Sequence, residues 1–380
     1  MVSCTASTLK GKAMGETGTK DPLVLLGGGH AHVEVVRQLG RRNLGREIIL
    51  VSPSRHAPYS GMLPGYIAGR YQFEDFHIDL AALCRRSGVS FVEGAAVGID
   101  AKRRQVLLSG GRVLTYRLLS LDIGSTPSLP QGVSGGVSVK PIASFTERLA
   151  RLDALAAGHQ GPLHLAVVGQ GVAGVEVAFA LKQRLLGKRV QIALVGRAGR
   201  PVPARSNRAQ RMVEDELQQA GIAHHPGFDV VAFDNGTLIA RDGRRIDTDE
   251  AVWTTSSGAP DWLRETALDL DGAGFICVDE TLRALSHPDI FAAGDVASLP
   301  DPRPKAGVFA VRQGPVLAQN ICRSLSREPL LPFRPQRAWL ALISLSDGRT
   351  IADKWGVAFS GRWVSAWKHR NDIRFVRRYS

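Results

Sequence analysis

Two glycine-rich turns contain the residues best suited to chemistry in this chain. The first reads Gly27-Gly-Gly29-His-Ala-His32, and the second reads Gly169-Gln-Gly171-Val-Ala-Gly174. Each follows a short apolar run typical of a buried parallel strand and precedes a segment that favours a helix. Small residues let the backbone approach a pyrophosphate, and the N-terminus of the helix supplies unpaired N–H groups. The two turns together predict two bound dinucleotides.

A third segment, Asp289-Ile-Phe-Ala-Ala-Gly294-Asp295, indicates what one of these dinucleotides is. The carboxylate of Asp295 follows small residues and suits a hydrogen bond from a ribityl hydroxyl. A flavin and a nicotinamide form the natural pair that two such sites would hold face to face. The pattern therefore predicts an oxidoreductase with FAD and NADH or NADPH as cofactors.

Cationic residues follow in the segment from Arg303 to Gly314. Lys305 is predicted to face the N1/O2 edge of the flavin, where positive charge would stabilise the anionic reduced ring. Lys305 and Gln313 are the predicted catalytic residues, and a solvated surface lysine is the alternative for Lys305. Pro315 predicts that the next helix begins near Gly314.

Neither turn is followed by the acid that usually binds the ribose hydroxyls. Ser52 ends the strand after the first turn, and Gly196-Arg197 follows the strand after the second. Without a carboxylate, and with Arg197 and Arg200 nearby, the second site would tolerate a 2′-phosphate, so NADPH is expected as readily as NADH. The alternative is a second domain that has kept only the fold.

The histidines of the first turn, His30 and His32, have a second interpretation as metal ligands. No further cluster of Cys, His or Asp with ligand spacing accompanies them in the sequence. No metal site is therefore predicted.

Turn-forming residues alternate with apolar residues between His56 and Gly65. This segment follows the strand after the first turn, where a chain can cross a flavin ring. We expect it to contact the cofactor, and a purely structural loop is the alternative.

Composition sets the broad class. Of the 380 residues, 44% are hydrophobic, which is ordinary for a globular protein, and the length predicts two domains. No apolar stretch approaches the ~20 residues of a membrane-spanning helix. Residues 1–21 lack an apolar block and are predicted to be a disordered tail, not a secretory signal. The cysteines lack disulfide or metal spacing, so free thiols in a reducing compartment are expected at Cys4, Cys84, Cys277 and Cys322.

The formal charge of +13 is unevenly distributed. Residues 331–380 contain ten Lys or Arg, three Asp, and four of the six tryptophans. Basic charge with aromatic side chains is typical of contact with an anionic membrane surface, and no nucleic-acid motif accompanies it. An amphipathic helix is expected within residues 361–380, either at a membrane interface or docked on the protein's own core. The expected location is the cytoplasm, with peripheral contact at the inner face of the cell membrane.

Strands and helices alternate along most of the chain. The expected fold class is α/β, with two nested Rossmann-like dinucleotide-binding domains and a short basic C-terminal segment. Leu163–Val168 and Val190–Val195 are predicted strands of the second unit, and Ile290–Ala293 is a late strand of the first. The second domain is thus expected to be inserted into the first. The expected boundaries are 22–145 with 265–330 for the FAD domain, 146–264 for the NAD(P)H domain, and 331–380 for the C-terminal segment.

Several segments together resemble a known family. They are Gly27–His32, Pro58-Tyr-Ser-Gly-Met-Leu-Pro-Gly65, Leu121-Asp-Ile-Gly-Ser125, Arg303–Gly314 and Lys354–Phe359. The overall plan resembles the flavoproteins with two dinucleotide-binding domains, which include the type II NADH dehydrogenases. More narrowly, it resembles the NADH-dehydrogenase-like flavoprotein that occurs fused ahead of selenide, water dikinase in some organisms.

The resemblance and the motifs together assign residues to two sites. The expected FAD contacts are Gly27, Gly28, Gly29, His30, Ser52, Tyr59, Ser60, Gly61, Met62, Leu63, Pro64, Gly124, Ser125, Gly294 and Asp295. The expected NAD(P)H contacts are Gly169, Gly171, Gly174, Glu176, Arg197 and Gly258. The loop beside the flavin holds a redox cysteine pair in related disulfide reductases. No cysteine occurs there in this chain, which excludes disulfide reduction by that route.

The predicted function is transfer of hydride from NAD(P)H to FAD and of electrons onward to a non-thiol acceptor, expected to be a quinone. One alternative is oxidation of sulfide onto a quinone, which would need catalytic cysteines near the flavin. Another is a non-enzymatic flavin-binding redox partner linked to selenium metabolism, whose FAD would not be reduced by NAD(P)H. Selenide, water dikinase is the protein partner that the resemblance suggests.

Overall fold

A computed structural model describes residues 21–142, 145–255 and 257–380. The predicted tail, apart from its last residue, lies outside these ranges. Within them, two parallel sheets of five strands each carry the two glycine-rich turns. The expected α/β class is confirmed.

The first sheet places the first glycine turn at the end of its central strand. Its strands lie in the order Ile290–Ala292, Leu118–Leu121, Leu23–Leu26, Ile48–Ser52 and Ser90–Glu93, all parallel. Every residue of Leu23–Leu26 is buried, as expected for a parallel strand covered on both faces. The chain leaves this sheet after Leu121 and returns to it at Ile290, which places the late predicted strand beside Leu118–Leu121.

The two faces of this sheet are covered by different elements. The side chains of Leu23 and Leu25 pack with three helices, His30–Leu39, Leu80–Ser87 and Gly307–Ser326. Those of Val24 and Leu26 point to the other face, since side chains alternate along a strand. That face is covered by an antiparallel sheet of Ala96–Asp100, Gln105–Leu108 and Val113–Thr115.

The predicted helix start near Gly314 is wrong. The helix begins at Gly307 and continues through Pro315 to Ser326. Proline removes one backbone hydrogen bond and costs several kcal/mol in isolation. Burial of Phe309 and Leu317 on this helix, together with close packing of Gly314 on the first helix, compensates that cost.

The second sheet repeats the arrangement. Its parallel strands lie in the order Val137–Ser138, Glu250–Trp253, Leu163–Val168, Val190–Val195 and Ile222–His225. The strands predicted at Leu163–Val168 and Val190–Val195 are confirmed. The helices are Phe145–Gly158, Val172–Arg184 and Asn207–Gln219. A mixed sheet lies beside them, in which Gly132–Val133 runs parallel to Val230–Asp234, and Thr237–Ala240 runs antiparallel to Val230–Asp234 and to Arg245–Asp247.

Short elements connect these units. Thr126–Pro127 pairs with Ser257–Gly258, His56–Pro58 with His77–Asp79, and Ile276–Cys277 with Ala297–Ser298. Short α-helices occupy Leu63–Ile67 and Phe73–Phe76, and 3₁₀ turns occupy Ser60–Met62, Asp261–Glu265 and Gly294–Val296.

The C-terminal segment forms an antiparallel sheet followed by a helix. The strands are Ala341–Ser344, Thr350–Lys354 and Val357–Gly361, and the helix is Arg362–Arg377. Val376 and Tyr379 are buried in the same apolar cluster as the central strands of both parallel sheets. The C-terminal end of this helix therefore docks on the protein's own core, while Trp363 and Trp367 nearer its start are exposed. Among the described residues, no helix combines the length and apolarity needed to cross a bilayer.

Candidate functional site

The carboxyl ends of three neighbouring strands meet at one edge of the first sheet. In the register of the strands, Leu26, Leu121 and Ala292 lie side by side. Ligands of open α/β sheets bind outside this edge. The first glycine turn and Asp295 are thus brought to one place from distant parts of the chain.

The first turn bends tightly around Asp122, a residue to which sequence reasoning gave no role. Gly27 has a φ of +92°, and a Cβ there would lie 2.3 Å from the carbonyl oxygen of Asp122, so only glycine fits. The Asp122 carboxylate accepts hydrogen bonds from the backbone N–H groups of Ala31 (2.7 Å) and His32 (3.0 Å). Burial raises the pKa of Asp122 to about 7, and both N–H groups act in the opposite direction. The only sequence signal for this residue was its place in Leu121–Ser125.

Other expected contacts in this region have local reasons for their identity. A Cβ on Gly28 would lie 2.3 Å from Cδ1 of Leu80, so a larger residue would require the Leu80 side chain to move. Ser52 is buried at the end of its strand. Gly124 has a φ of +73° with open space on its Cβ side. Their expected contact with FAD stays a prediction.

The two histidines of the first turn have different surroundings. Both ring nitrogens of His32 are engaged, Nδ1 with the Gly27 carbonyl at 2.7 Å and Nε2 with Ser120 Oγ at 2.8 Å. His30 Nε2 is buried and has no hydrogen-bond partner among the described residues. Burial lowers the pKa of both imidazoles to about 4, so both are neutral at pH 7. The geometry therefore gives His32 no free nitrogen for a metal, and within the described ranges no group of His, Cys, Asp or Glu is placed to hold one.

Asp295 lies in a cluster that also contains Lys140, a residue that sequence reasoning missed. Its Oδ2 accepts hydrogen bonds from Ser125 Oγ (3.1 Å) and Lys140 Nζ (2.9 Å). Lys140 also donates to Ser125 Oγ and to Ser257 Oγ, each at 2.8 Å. Ser257 lies in the short strand that pairs with Thr126–Pro127, at the junction between the two sheets. Lys140 therefore links Asp295 to this junction.

Beside Asp295 lies a cavity of about 180 Å³ that includes both predicted catalytic residues in its wall. Lys305 Nζ donates to the Ala297 carbonyl at 2.6 Å and lies 3.9 Å from the centroid of the Phe275 ring. Burial lowers the pKa of Lys305, although Asp295 acts to raise it. The alternative of a freely solvated lysine is therefore wrong. Gln313 is buried, and its Oε1 accepts the N–H of Gly294 at 2.6 Å, so its side chain braces this turn.

The expected flavin loop forms a 3₁₀ turn and a short helix. The Tyr59 ring stacks on Phe375 of the C-terminal helix, with centroids 4.4 Å apart, and meets His30 edge-on at 5.5 Å. Lys368 Nζ of the same helix donates to the Gly61 carbonyl at 2.6 Å. Ser60 Oγ lies close to Gly307, the first residue of the helix Gly307–Ser326. Met62, Leu63 and Pro64 are buried in the protein. Their expected contact with the cofactor stays a prediction.

The C-terminal helix is fixed to the first helix by a buried carboxylate. Glu34 accepts hydrogen bonds from Tyr379 Oη at 2.8 Å, from Arg37 and from Gln38. Burial acts to raise the pKa of Glu34, but these donors outweigh it and hold that pKa at about 2. Phe375 therefore lies on an anchored helix beside the flavin loop, and no sequence pattern predicted this pairing.

The second glycine turn packs as a dinucleotide fingerprint does. Gly169 has a φ of +116°, and Gly171 precedes the first residue of helix Val172–Arg184. A Cβ on Gly174 would lie 1.7 Å from the carbonyl oxygen of Gly169, which makes glycine necessary for helix–strand contact. Gln170, which sequence reasoning did not select, accepts a hydrogen bond from His224 Nε2 through its Oε1 at 2.7 Å and donates one through its Nε2 to the Ala198 carbonyl at 2.5 Å.

The remaining residues of this predicted site are dispersed. The Glu176 carboxylate accepts the N–H of Ser344 at 2.9 Å in the C-terminal segment. Burial raises the pKa of Glu176 to about 7, and the charge of Lys368 acts to lower it. Arg197 is exposed, and Gly258 lies in the short strand at the junction. Arg200, named as a second cation for a 2′-phosphate, is paired with Glu214.

Comparison with known proteins agrees with this geometry. Residues 21–314 match the family described as pyridine nucleotide-disulphide oxidoreductase. A demethylphylloquinone reductase of Synechocystis is 25% identical over 91% of this chain and 89% of its own length. An NADH dehydrogenase-like protein of Mycobacterium tuberculosis is 27% identical over 68% of each chain.

Solved structures share the fold. The sulfide:quinone oxidoreductase of Aquifex aeolicus superposes with a TM-score of 0.78 at 18% identity, over 95% of this chain and 91% of its own. NDH2 of Plasmodium falciparum in complex with NADH gives a TM-score of 0.78 at 13% identity, over 94% and 97%. At such identities the likeness concerns the fold alone.

The non-enzymatic alternative does not agree with these findings, since the match covers both glycine turns and the strand before Asp295. The chain is an enzyme, an oxidoreductase with FAD and NAD(P)H as its cofactors. It belongs to the pyridine nucleotide-disulphide oxidoreductase family and has NADH dehydrogenase-like relatives.

Proposed function

We propose that this enzyme takes hydride from NAD(P)H and passes the electrons to a quinone at a membrane surface. The observation that carries the proposal is the aromatic stack of Tyr59 and Phe375. Tyr59 belongs to the loop that holds a redox cysteine pair in related disulfide reductases, and this loop has no cysteine. Flat aromatic side chains suit a flat, apolar acceptor. The quinone activity in the name of the Synechocystis relative adds support.

FAD fits the residues at the edge of the first sheet. FAD could occupy the cavity beside Asp295, place its phosphates at the helix N-terminus, and offer an acceptor or donor to the buried His30 Nε2, which has no partner among the residues that the structure describes. When bound, FAD supplies the hydride-accepting and electron-donating chemistry. The first turn would hold its pyrophosphate, Asp295 its ribityl chain, and Lys305 the electronegative edge of its ring.

The nicotinamide nucleotide would bind at the second glycine turn. Gly174 lets helix and strand pack closely enough to aim the helix N-terminus at a pyrophosphate. No carboxylate follows the strand at Gly196, and the exposed Arg197 leaves room and charge for a 2′-phosphate. Both NADH and NADPH are therefore proposed as donors.

The quinone would lie against Tyr59 and Phe375. Lys368 bridges the Gly61 carbonyl and Asp372 Oδ2 (2.7 Å), so the loop and the C-terminal helix form one rigid wall. Burial raises the pKa of Asp372 and of Tyr59, and the charge of Lys368 acts to lower that of Asp372. These residues would orient the acceptor and exclude water from it.

An exposed aromatic patch supports peripheral contact with the inner face of the cell membrane. It comprises Trp355, Val357, Phe359, Trp363 and Trp367, which are 78%, 61%, 39%, 62% and 41% exposed. Lys354 lies over the ring of Trp355, so positive charge accompanies the patch. Trp363→Ala with Trp367→Ala should reduce sedimentation with anionic vesicles severalfold, whereas Leu186→Ala, at an exposed residue outside the patch, should not. Equal sedimentation of all variants would contradict the membrane proposal.

The cysteines do not favour sulfide oxidation. Cys84 is buried, and burial raises its pKa to about 12, so it is a poor nucleophile. Burial also raises the pKa of Cys277. Cys322 Sγ accepts a hydrogen bond from Arg42, which follows the end of the first helix. Replacing all three with Ser should leave quinone reduction intact.

The branch resemblance adds a partner to the proposal, selenide, water dikinase. The prediction is physical association between the two proteins. Sedimentation of a purified mixture tests it, and two independent boundaries would contradict it.

The test of the activity is anaerobic spectroscopy followed by acceptor addition. NADH and NADPH are added separately to the purified flavoprotein, and bleaching of the flavin band identifies the donor. A water-soluble quinone is then added to the reduced enzyme, with oxidised glutathione as the matched thiol-type acceptor. Rapid reoxidation by the quinone alone is expected. Reoxidation by glutathione but not by the quinone would overturn the proposal.

A further inference from the structure

Asp122 is a buried acid at the N-terminus of the first helix. It is 3% exposed, and its Oδ2 accepts the N–H groups of Ala31 and His32. In a dinucleotide-binding fold the pyrophosphate lies at this same helix end, attracted by the same partial positive charge. The carboxyl group of Asp122 therefore lies at the helix end where the two negative charges of the FAD pyrophosphate would also lie.

The surrounding glycines show that this carboxylate is held in a fixed position. A Cβ on Gly29 would lie 2.3 Å from Asp122 Oδ1, and a Cβ on Gly294 would lie equally close to the same atom. Gly27 is constrained in the same way by the Asp122 backbone. Three glycines of the predicted cofactor site are thus required by Asp122 as much as by a ligand.

The groups around Asp122 provide little neutralising charge. His30 and His32, on the first helix, both have a pKa lowered to about 4 by burial and are neutral. Asp295, on the neighbouring 3₁₀ turn, is a second carboxylate and is paired with Lys140. Gln313, on the long helix, is uncharged and bonded to Gly294. A phosphate bound at the N-terminus of the first helix would therefore be repelled by the ionised form of Asp122, and none of these groups would supply a cation between them.

We propose that Asp122 couples FAD binding to uptake of a proton: the cofactor binds tightly when this carboxyl group is neutral and weakly when it is ionised. This inference rests on the FAD site described above. Asp122 is a positioning residue, since it acts through the helix N-terminus and the glycine turn. Because its pKa is raised to about 7 by burial, the coupling falls in the physiological range. FAD itself has no group that titrates there.

Two measurements on the wild-type protein test the proposal. Apoprotein is reconstituted with FAD in buffers of different ionisation enthalpy, and calorimetry gives the number of protons taken up. Uptake approaching one proton is expected somewhat above pH 7. The dissociation constant for FAD should then rise with pH by up to roughly tenfold per pH unit. Tight binding without proton uptake overturns the role of Asp122 and leaves the FAD site intact, whereas no binding at any pH overturns the FAD site as well.

Variants identify the group that takes up the proton. Asp122→Asn keeps an oxygen that can accept the two N–H groups, so its FAD affinity should be independent of pH and tighter than wild type at pH 8. Glu176→Gln is the matched control, because the pKa of Glu176 is also raised to about 7 but this residue lies on the helix Val172–Arg184, after the second glycine turn. It should keep the wild-type pH profile of FAD binding. Loss of proton uptake in Glu176→Gln, or its persistence in Asp122→Asn, would assign the proton elsewhere and refute the proposal.

Discussion

Removing one hydroxyl group should loosen the C-terminal helix in a measurable way. Tyr379 Oη donates to Glu34 Oε2 at 2.8 Å, and both residues are 2% exposed. A hydrogen bond to a charged group contributes about 1.5–3 kcal/mol. Arg37 and Gln38 continue to hold Glu34 in Tyr379→Phe, so we expect the lower value, about 1.5 kcal/mol.

Hydrogen exchange of the amides in Arg362–Arg377 is the suitable assay, because it reports local opening of this helix. A loss of about 1.5 kcal/mol lowers protection by roughly tenfold if the helix opens as a unit. Ser380→Ala is the control, since in the described part of the chain its hydroxyl bonds only to the carbonyl of Val376, at the same helix end. Protection in Tyr379→Phe within a factor of about two of wild type would refute the anchoring role of Glu34.

Three further predictions concern single side chains. Gly174→Ala would place a methyl group 1.7 Å from the Gly169 carbonyl oxygen, so reduction by NAD(P)H should be lost while FAD stays bound, as absorbance would record. Loss of bound FAD together with loss of reduction would contradict separate sites for the two nucleotides. Phe375→Ala removes a stack worth about 0.5–1.5 kcal/mol, so reoxidation by a quinone should slow up to about tenfold with flavin reduction unchanged in stopped flow. Glu34 has a pKa lowered to about 2, so its stabilisation is complete above its ordinary pKa of 4.5 and is lost as the pH falls towards 2. Glu34→Gln should therefore flatten the acid limb of the stability profile, and an unchanged limb would contradict the assignment.

The local part of this structure is readable from the sequence. Leu163–Val168 and Val190–Val195 are apolar runs that a single polar residue interrupts in each case, and the structure confirms both strands within the predicted bounds. The glycine turns are readable for the same reason, because positive φ at Gly27 and Gly169 limits those positions to glycine.

The contacts that complete the site depend on residues far apart in the chain. Lys140 reaches Asp295 across more than 150 positions, and Phe375 reaches Tyr59 across more than 300. No periodicity or spacing encodes such pairs. The helix through Pro315 was mispredicted for a related reason, since a local rule about proline was outweighed by tertiary burial.

The surroundings of Gly196 bear on how the proposed NAD(P)H site could change its preference between NADH and NADPH. A Cβ at this position would lie 2.5 Å from Cγ of Gln170, whose side chain is itself bonded to Ala198 and His224. Installing the ribose-binding acid there would displace a packed residue at the glycine turn. Arg197, one position later, is exposed and free to vary. Natural variation and protein engineering would therefore change coenzyme preference at residue 197, at little cost to folding and on a different sheet from the flavin.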